Sequence, residues 1–386
     1  MRSHDLLVFP LSEYQRRIEN VKSEMADLNL DFMMVSAPDN LTYLTGHQTS
    51  GYDQIQLLFV PIEGEPFAVC RLPERDSFCS RTWLEESRIY NFVDTDDPVS
   101  VVKKTLAIEG VDNKNVGIEY GSLFLSYATH KRFENELPVN FIDATGAVEK
   151  GRMVKSQYEI DLLRKVGEVT EKGMVAGIEA CRPGVTENEV AAAVHHAMYT
   201  AGGEYPSVPP YITSGPRSII CHATWEGRVL ERDDIVFLEM AGCLKRYHTA
   251  MMRTVFLGKP SEALSGAAEL MNEDLRELMA MMKPGVTAHE VDVAAHHGRY
   301  AKFGATRYSR VGYAMGIAFA PSWDEGSILS LNTGNHTKLQ ENMVFHLIPW
   351  LQFPKEKLVM GLSETVIVKP QGAESVFTHE SKLYIK

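Results

Sequence analysis

The sequence predicts two domains: an α/β domain over residues 1–150 and an α+β domain with pseudo-twofold symmetry over residues 151–386. The chain has 386 residues, more than one ordinary domain usually holds. In the first part, short apolar runs alternate with amphipathic stretches, whereas in the second part a nine-residue phrase recurs. Hydrophobic residues make up 44% of the chain, enough for a core in each domain.

The first domain begins with an amphipathic helix, predicted over residues 12–30, and a buried strand that starts at Asp31. Other short apolar runs predict strands at Gln56–Val60, Pro66–Cys70, Arg88–Phe92 and Asn115–Glu119. Helical stretches between such strands are typical of an α/β domain with a largely parallel or mixed sheet. This pattern ends near residues 144–150.

The second domain opens with the capping-box pair Ser156 and Glu159, which predicts a long helix to about Ala180. The phrase Arg182-Pro-Gly-Val-Thr-Glu-Asn-Glu-Val190 recurs as Lys283-Pro-Gly-Val-Thr-Ala-His-Glu-Val291, and His195-His196 recurs as His296-His297. Two copies of helix, turn and capped helix predict a pseudo-symmetric domain whose site lies where two sheets meet. Adjacent helical side chains point apart, so both histidine pairs are interpreted as structural.

Composition excludes several classes of protein. The formal net charge of -12 argues against nonspecific binding to nucleic acid or to a membrane surface, which both favour basic patches. No secretory signal is expected, and no apolar run approaches the roughly 20 residues of a membrane-spanning helix. The five cysteines form no CxxC pair, which favours a reduced, cytoplasmic setting.

Two residues are the strongest catalytic candidates. Glu239 interrupts an apolar strand, and a buried carboxylate without a partner costs several kcal/mol. His222 follows a Ser-Gly turn and an apolar pair, and histidine is the side chain suited to acid–base work near neutral pH. For each the alternative is structural: an ion pair for Glu239 and a packed or surface histidine for His222.

Three later strands carry further polar residues. In residues 245–257, period-two alternation places Tyr247 and His248 on opposite faces, and a hairpin with the Glu239 strand would bring one face beside that glutamate. His346 and Glu364 each interrupt an apolar strand, which indicates a shared polar pocket.

At these residues the second half of the chain resembles the pita-bread domain shared by methionine aminopeptidase, Xaa-Pro dipeptidase and creatinase. Its peptidase members bind two metal ions through two aspartates, a histidine and two glutamates. Alignment of the flanking motifs places these five positions at Glu239, Ala250, Tyr313, Ile348 and Ser363. The resemblance therefore implies no metal and no other cofactor, because a single carboxylate does not complete a ligand set.

The chain also resembles the ectoine hydrolases within this superfamily. The matching motifs are Phe-Leu-Glu239-Met-Ala-Gly, His222-x-Thr-Trp225, Gly312-Tyr-x-x-Gly-Ile with Trp323-x-Glu325, Phe345-His346-x-x-Pro and Glu364. Creatinases share Tyr-x-Thr-Ala-x-x-Arg-Thr over residues 247–254, but they hold a guanidinium with carboxylates at the positions of Met252 and Ile348. The first domain departs from the ectoine hydrolase pattern after Gly46.

This resemblance implies a hydrolase that opens a C–N bond of a small cyclic amidine, ectoine. Glu239 would act as a covalent nucleophile or as a general base, and His222 would transfer protons. The implied substrate-binding residues are Trp225, Tyr247, His248, Arg310, Tyr313, Trp323, Glu325, His346 and Glu364. A homodimer is implied as well. The alternatives are a creatinase-like or other amide or amidine hydrolase, and a noncatalytic pita-bread binding protein.

Overall fold

The computed structural model describes residues 6–295, 297–307 and 310–386, so His296 of the second histidine pair lies outside the described residues. The chain divides into two compact units, the first ending at Arg152 and the second comprising Met153–Lys386. Within the described residues, no helix is long and apolar enough to cross a bilayer.

The first unit is built around a six-stranded mixed sheet. Its strands are β1 (Phe32–Val35), β2 (Leu57–Pro61), β3 (Phe67–Arg71), β4 (Ile89–Phe92), β5 (Asn115–Ile118) and β6 (Asn140–Asp143), in the order β4-β3-β2-β1-β5-β6. Strand β1 is antiparallel to β2 and parallel to β5. The α/β prediction with a mixed sheet is confirmed. The unpredicted strand β6 has exposed or half-exposed residues throughout, so it lacks an apolar run.

The helices of this unit match the amphipathic stretches of the sequence. They are α1 (Leu11–Asp27), α2 (Pro38–Thr45), α3 (Leu72–Arg81), α4 (Pro98–Ile108), α5 (Tyr127–Glu136) and the short α6 (Glu149–Met153) at the boundary. In α1 the apolar residues Ile18, Val21 and Met25 recur every three to four positions and are buried.

The second unit contains two helix pairs and two sheets. The helices are α7 (Gln157–Ala180), α8 (Glu187–Thr200), α9 (Glu262–Met281) and α10 (Ala288–Ala294). Four strands, β7 (Tyr211–Ser214), β8 (Ile235–Leu244), β9 (Tyr247–Phe256) and β17 (Leu383–Ile385), form one sheet in the order β17-β9-β8-β7. The second sheet has the order β11-β10-β12-β15-β16, with β10 (Gly312–Ala314), β11 (Ser330–Leu331), β12 (Val344–Leu347), β15 (Glu364–Ile367) and β16 (Glu374–Ser375). Strands β13 (Trp350–Phe353) and β14 (Leu358–Gly361) form a separate hairpin.

The internal repeat adopts the same geometry in both copies. Gly184 and Gly285 both have positive φ, at 89° and 96°, which glycine tolerates without steric cost. Their amides donate to the carbonyls of Leu230 and Leu339, at 2.8 and 2.9 Å. Each helix that follows opens with a capping box. The predicted pseudo-twofold α+β fold is therefore confirmed.

Strands β8 and β9 form a hairpin that fixes the face presented by each residue. Lys245 and Arg246 make its two-residue turn, both with positive φ. The buried Arg246 guanidinium donates to the carbonyls of Tyr205 and Ala318, which holds this strained turn in place. The resulting register pairs Glu239 with Met252, so the face of β9 that contains Met252 lies beside the glutamate.

Candidate active site

A cavity of about 530 Å³ opens in the second unit and is lined by residues from both of its sheets. Its lining includes the buried residues Glu239 on β8, Met252 on β9 and Tyr313 on β10, together with His222 in the segment that follows β7. The remaining lining residues include Tyr211, Thr213, Phe237, Arg310, Trp323, Asp324, Ile348 and Trp350. Aromatic and apolar walls with a few polar groups are typical of a site for a small molecule.

Glu239 is the buried carboxylate of this cavity. Its exposed fraction is only 6%, and burial raises its pKa to about 8. Among the residues that the structure describes, none donates a hydrogen bond or an ion pair to this carboxylate. Glu239 is therefore largely protonated at neutral pH in the free protein, and a bound cation would favour its ionised form.

Tyr211 lies beside Glu239 and links it to His222. The β7–β8 register pairs Tyr211 with Glu239 directly. The Tyr211 ring lies 5.2 Å from the His222 ring and 5.1 Å from the Trp323 ring, measured between centroids. Burial, with a smaller contribution from the charge of Glu239, raises the pKa of Tyr211 to about 12. Tyr211 therefore stays neutral and forms part of the cavity wall next to both candidate catalytic groups.

Arg310 is the cation at the cavity wall. Its guanidinium lies 4.5 Å from the centre of the Tyr313 ring. It donates to Ser330 Oγ at 2.6 Å and to an Asp324 carboxylate oxygen at 3.3 Å. These contacts hold the guanidinium at the cavity while occupying two of its five N–H donors.

Tyr313 joins the cavity to a buried hydrogen-bonded chain. Its hydroxyl oxygen accepts from Trp323 Nε1 at 3.1 Å and lies 2.8 Å from His346 Nδ1. His346 Nε2 in turn lies 2.6 Å from Ser363 Oγ. Burial, with a smaller effect from Arg253, lowers the pKa of His346 to about 3, so this imidazole is neutral.

Trp225, Tyr247 and His248 are not among the cavity-lining residues. The Trp225 indole packs edge-on against His195 of α8, at 5.5 Å between centroids. The Tyr247 hydroxyl donates to Glu159 Oε1 at 2.8 Å. His248 is fully buried, and its Nε2 accepts from the Ser207 amide at 3.1 Å.

The two glutamates among the expected substrate-binding residues, Glu325 and Glu364, are instead paired with cations of the protein. Glu325 contacts the Lys155 ammonium at 2.7 Å, and both side chains are buried. Glu364 contacts the Arg253 guanidinium at 2.6 Å and accepts a hydrogen bond from Ser375. Neither glutamate lines the cavity. Of the nine expected substrate-binding residues, the structure places Arg310, Tyr313 and Trp323 at the cavity wall, and His346 directly behind Tyr313.

Several lining residues were missed by the sequence analysis. Tyr211 and Phe237 lie on strands that flank or contain Glu239, and Asp324 adjoins the expected Trp323. Tyr211 had a detectable signal, because it opens the strand that leads to His222. The position of Trp350 had none, since it depends on the β13–β14 hairpin beside the cavity.

The fold and this cavity place the chain among enzymes that combine a creatinase/prolidase N-terminal domain with a peptidase-like catalytic domain. The profile of the creatinase/prolidase N-terminal domain matches residues 17–154, and that of metallopeptidase family M24 matches residues 161–370. The chain belongs to metallopeptidase family M24, and it is a hydrolase of that family.

Similar proteins cover almost the whole chain. An uncharacterized hydrolase/peptidase of Sinorhizobium fredii is 32% identical, over 95% of each chain. The ectoine hydrolase of Halomonas elongata is 27% identical, over 98% of this chain and 99% of its own. The crystal structure of dipeptidase PepE from Mycobacterium ulcerans superposes with a TM-score of 0.82 at 24% identity, over 98% of this chain and 99% of that one, and so shares the fold.

The residues present do not fit the pair of metal ions that the family implies. Of the five ligand positions, only Glu239 has a side chain that commonly binds such ions; the other four are Ala250, Tyr313, Ile348 and Ser363. Within the described ranges, no group of three or more histidine, cysteine, aspartate or glutamate side chains is arranged to hold a metal. Divalent ions need several such donors at once.

Proposed function

We propose that this chain is a metal-independent hydrolase that opens a C–N bond of a small cyclic amidine bearing a carboxylate. The proposed substrate is ectoine, and the product is an N-acetylated diaminobutyrate. The observation that carries the proposal is a single buried carboxylate, Glu239, which faces the same cavity as His222 and lacks a counter-ion among the described residues. The similarity to an ectoine hydrolase supports the choice of substrate.

The charges of the cavity suit a zwitterion of this kind. A planar amidinium beside Glu239 would supply the positive charge that the carboxylate lacks. The rings of Tyr211, Tyr313 and Trp323 offer flat surfaces to the same cation, worth about 0.5–2 kcal/mol. The unused donors of Arg310 are available to the substrate carboxylate.

The reaction can follow two routes, with Glu239 either as nucleophile or as general base. In the first route, a Glu239 oxygen bonds to the amidine carbon, and the C=N electrons move to a ring nitrogen. Water then displaces Glu239 from that carbon and loses a proton to His222. The resulting carbinol collapses to an amide as the C–N bond breaks: the leaving nitrogen takes the proton held by His222, and His222, neutral again, carries the carbinol hydroxyl proton to the released amine. In the second route, Glu239 removes a proton from water, which attacks the carbon directly. Mass spectrometry of acid-quenched enzyme separates them, since only the first leaves substrate attached to Glu239.

A creatinase-like activity is less compatible with the cavity. Met252 and Ile348, at the positions where creatinases place carboxylates, are both apolar and both line the cavity here. A guanidinium bound between them would lose hydration without gaining ionic partners.

The decisive test is a substrate panel of ectoine, hydroxyectoine, creatine and Xaa-Pro dipeptides, read by product chromatography. We expect ring opening of ectoine and no cleavage of dipeptides or creatine. Glu239→Gln and His222→Ala should each reduce turnover by at least about 100-fold. Glu356→Gln, an exposed glutamate, is the matched control and should keep full activity. Dipeptide cleavage, or near-normal activity of Glu239→Gln, would contradict the proposal.

The homodimer and the cytoplasmic location implied by the sequence stay predictions. Light scattering of the purified protein and cell fractionation test them separately from the activity.

A further inference from the structure

The hydroxyl of Tyr313 lies at the end of a hydrogen-bonded chain whose other end is a backbone amide. The Met252 amide donates to Ser363 Oγ at 2.6 Å, and Ser363 Oγ lies 2.6 Å from His346 Nε2. His346 Nδ1 lies 2.8 Å from the Tyr313 oxygen, which also accepts from the Trp323 indole at 3.1 Å. His346 and Ser363 are fully buried.

The neutral His346 ring has one N–H, and its position decides where every hydrogen of the chain points. If Nε2 bore the hydrogen, Ser363 Oγ would accept from both His346 and Met252. Its own hydrogen would then have no acceptor among the described residues, at a cost of about 1–3 kcal/mol in a buried place. If Nδ1 bears it, Ser363 donates to Nε2, and the hydrogen left without a partner in the chain belongs to Tyr313, which lines the cavity, rather than to Ser363, which does not.

The Nδ1 form leaves one hydrogen of the chain unused, that of the Tyr313 hydroxyl. Its oxygen already accepts from His346 and from Trp323, so the hydroxyl can act only as a donor. Tyr313 lines the cavity, where a bound ligand can accept this hydrogen. The Arg310 guanidinium lies over the ring, and burial holds the pKa of Tyr313 well above its usual value, so the phenol keeps its hydrogen and can donate it in a hydrogen bond.

We propose that Tyr313 is a preset hydrogen-bond donor to the oxygen that forms on the attacked carbon, and that His346 and Ser363 are positioning residues that fix its direction. The inference rests on the proposed function and deepens it. A donor fixed before the reaction stabilises developing charge without reorganisation, as in an oxyanion hole. Tyr313 would thereby supply, at a former metal position, part of the polarisation that a metal provides elsewhere in the family.

The chain orients the hydroxyl rather than conducting a proton through it. Its far end is the Met252 amide, which does not exchange a proton during turnover. A proton passed from Tyr313 to substrate and replaced along the chain would leave Ser363 as a buried alkoxide. Protons are therefore left to His222, and Tyr313 contributes a hydrogen bond.

The kinetic test compares three variants on ectoine. Tyr313→Phe keeps the ring and removes the hydroxyl, so kcat should fall about 100-fold with KM changed less than about threefold. Ser363→Ala frees His346 to carry its hydrogen on Nε2, so kcat should fall about tenfold with a similarly small change in KM. Tyr300→Phe removes a buried tyrosine hydroxyl bonded to Asp274, away from the cavity, and should leave kcat unchanged. Full activity of Tyr313→Phe would overturn the inference while the proposed function stands.

The tautomer test needs no substrate. In protein labelled with ¹⁵N-histidine, with the His346 signal assigned by its loss in His346→Gln, we expect a protonated Nδ1 and a bare Nε2 at neutral pH. In Ser363→Ala the Nε2–H form should gain population. A wild-type Nε2–H form would overturn the inference whatever the substrate proves to be. Should ectoine not be hydrolysed, the proposed function fails and this measurement still decides how Tyr313 is directed.

Discussion

Glu239 lies on an inner strand of its four-stranded sheet and still has no cationic neighbour among the residues described. The other buried carboxylates near it are neutralised: Glu325 by Lys155 and Glu364 by Arg253. One unpaired carboxylate among neighbours that are paired with cations is characteristic of a site in which a ligand supplies the missing charge. The energetic consequence is that Glu239 keeps its proton in the folded protein at pH values where an unfolded chain has lost it.

Stability should therefore depend on pH through Glu239. The unfolded carboxyl releases its proton near 4.5, whereas the folded one releases it near 8, so the folded state binds one extra proton between these values. Wild-type stability should fall by about 1.4 kcal/mol per pH unit over this range, relative to Glu239→Gln. Denaturant unfolding at pH 5, 6, 7 and 8 measures the difference. Glu356→Gln should instead run parallel to wild type, and a parallel profile for Glu239→Gln would show that Glu239 ionises normally.

The same carboxyl should shape the pH dependence of turnover. The ionised form of Glu239 is the reactive one in both routes. The value of kcat/KM for ectoine should therefore rise with pH, with its midpoint near pH 8, where the free enzyme loses this proton. In the enzyme–substrate complex, the amidinium favours the ionised form of Glu239, so kcat should rise at a lower pH than kcat/KM does. Steady-state rates from pH 5.5 to 9.5 test both statements. A kcat/KM that falls between pH 6 and 8 would contradict a carboxylate nucleophile or base.

At the scale of the elements, the strands were predicted well from the sequence. Which residues of one strand lie beside which residues of its neighbour was predicted less well. The hairpin of β8 and β9 was expected, but the face of β9 beside Glu239 depended on the turn. Lys245 and Arg246 lack the Asn-Gly signature of a two-residue turn. The turn is stabilised instead by hydrogen bonds from Arg246 to residues that are distant in the sequence, such as Tyr205. The resulting register leaves Tyr247 at the far end of the hairpin from Glu239.

The residues of the candidate site, too, could be predicted from the sequence only where their signal is local. Glu239 was detectable because a carboxylate in an apolar strand is costly, and that signal is local. Trp225 carried a motif match, yet its ring packs on α8, which only the tertiary structure decides. The pairing of Glu325 with Lys155 links residues far apart in sequence, so no local pattern indicates that this carboxylate is neutralised.

The repeated capping boxes give a prediction for elements α8 and α10. Thr186 and Thr287 each accept from the amide three residues on, at 3.2 Å, and their own amides bond to Glu189 and Glu290. Thr186→Ala and Thr287→Ala should each lower the free energy of unfolding by about 1 kcal/mol. Because the caps belong to different helices, their effects in the double variant should add within about 0.5 kcal/mol.

Denaturant unfolding of the two single variants and the double variant measures these losses. Thr200→Ala, an exposed threonine at the end of α8, is the control and should change stability little. A loss confined to one of the two caps would contradict the equivalence of the two copies.

At the scale of the whole molecule, the pseudo-twofold catalytic unit keeps its architecture while the donors at its centre have changed. The helix–turn–helix copies, both sheets and the cavity between them persist. The polar side chains at two of the five aligned ligand positions form hydrogen bonds within the protein: Ser363 bonds to His346, and Tyr313 bonds to His346 and Trp323. Hydrogen bonds within the protein therefore hold these side chains in place.

This arrangement predicts that chelation leaves activity intact. Prolonged dialysis against EDTA, followed by assay on ectoine, should retain the rate of a sample dialysed without chelator. Added Mn²⁺ or Zn²⁺ should not raise that rate, because the five aligned positions offer one carboxylate beside apolar and hydroxyl side chains, and the described residues contain no group of three or more side chains arranged to hold either ion. Elemental analysis of the purified protein provides a readout independent of activity and should find less than one bound ion per chain. Loss of activity on chelation that Mn²⁺ or Zn²⁺ restores would contradict the assignment of the chemistry to Glu239 and His222, and would mean that donors other than the five aligned positions bind the metal.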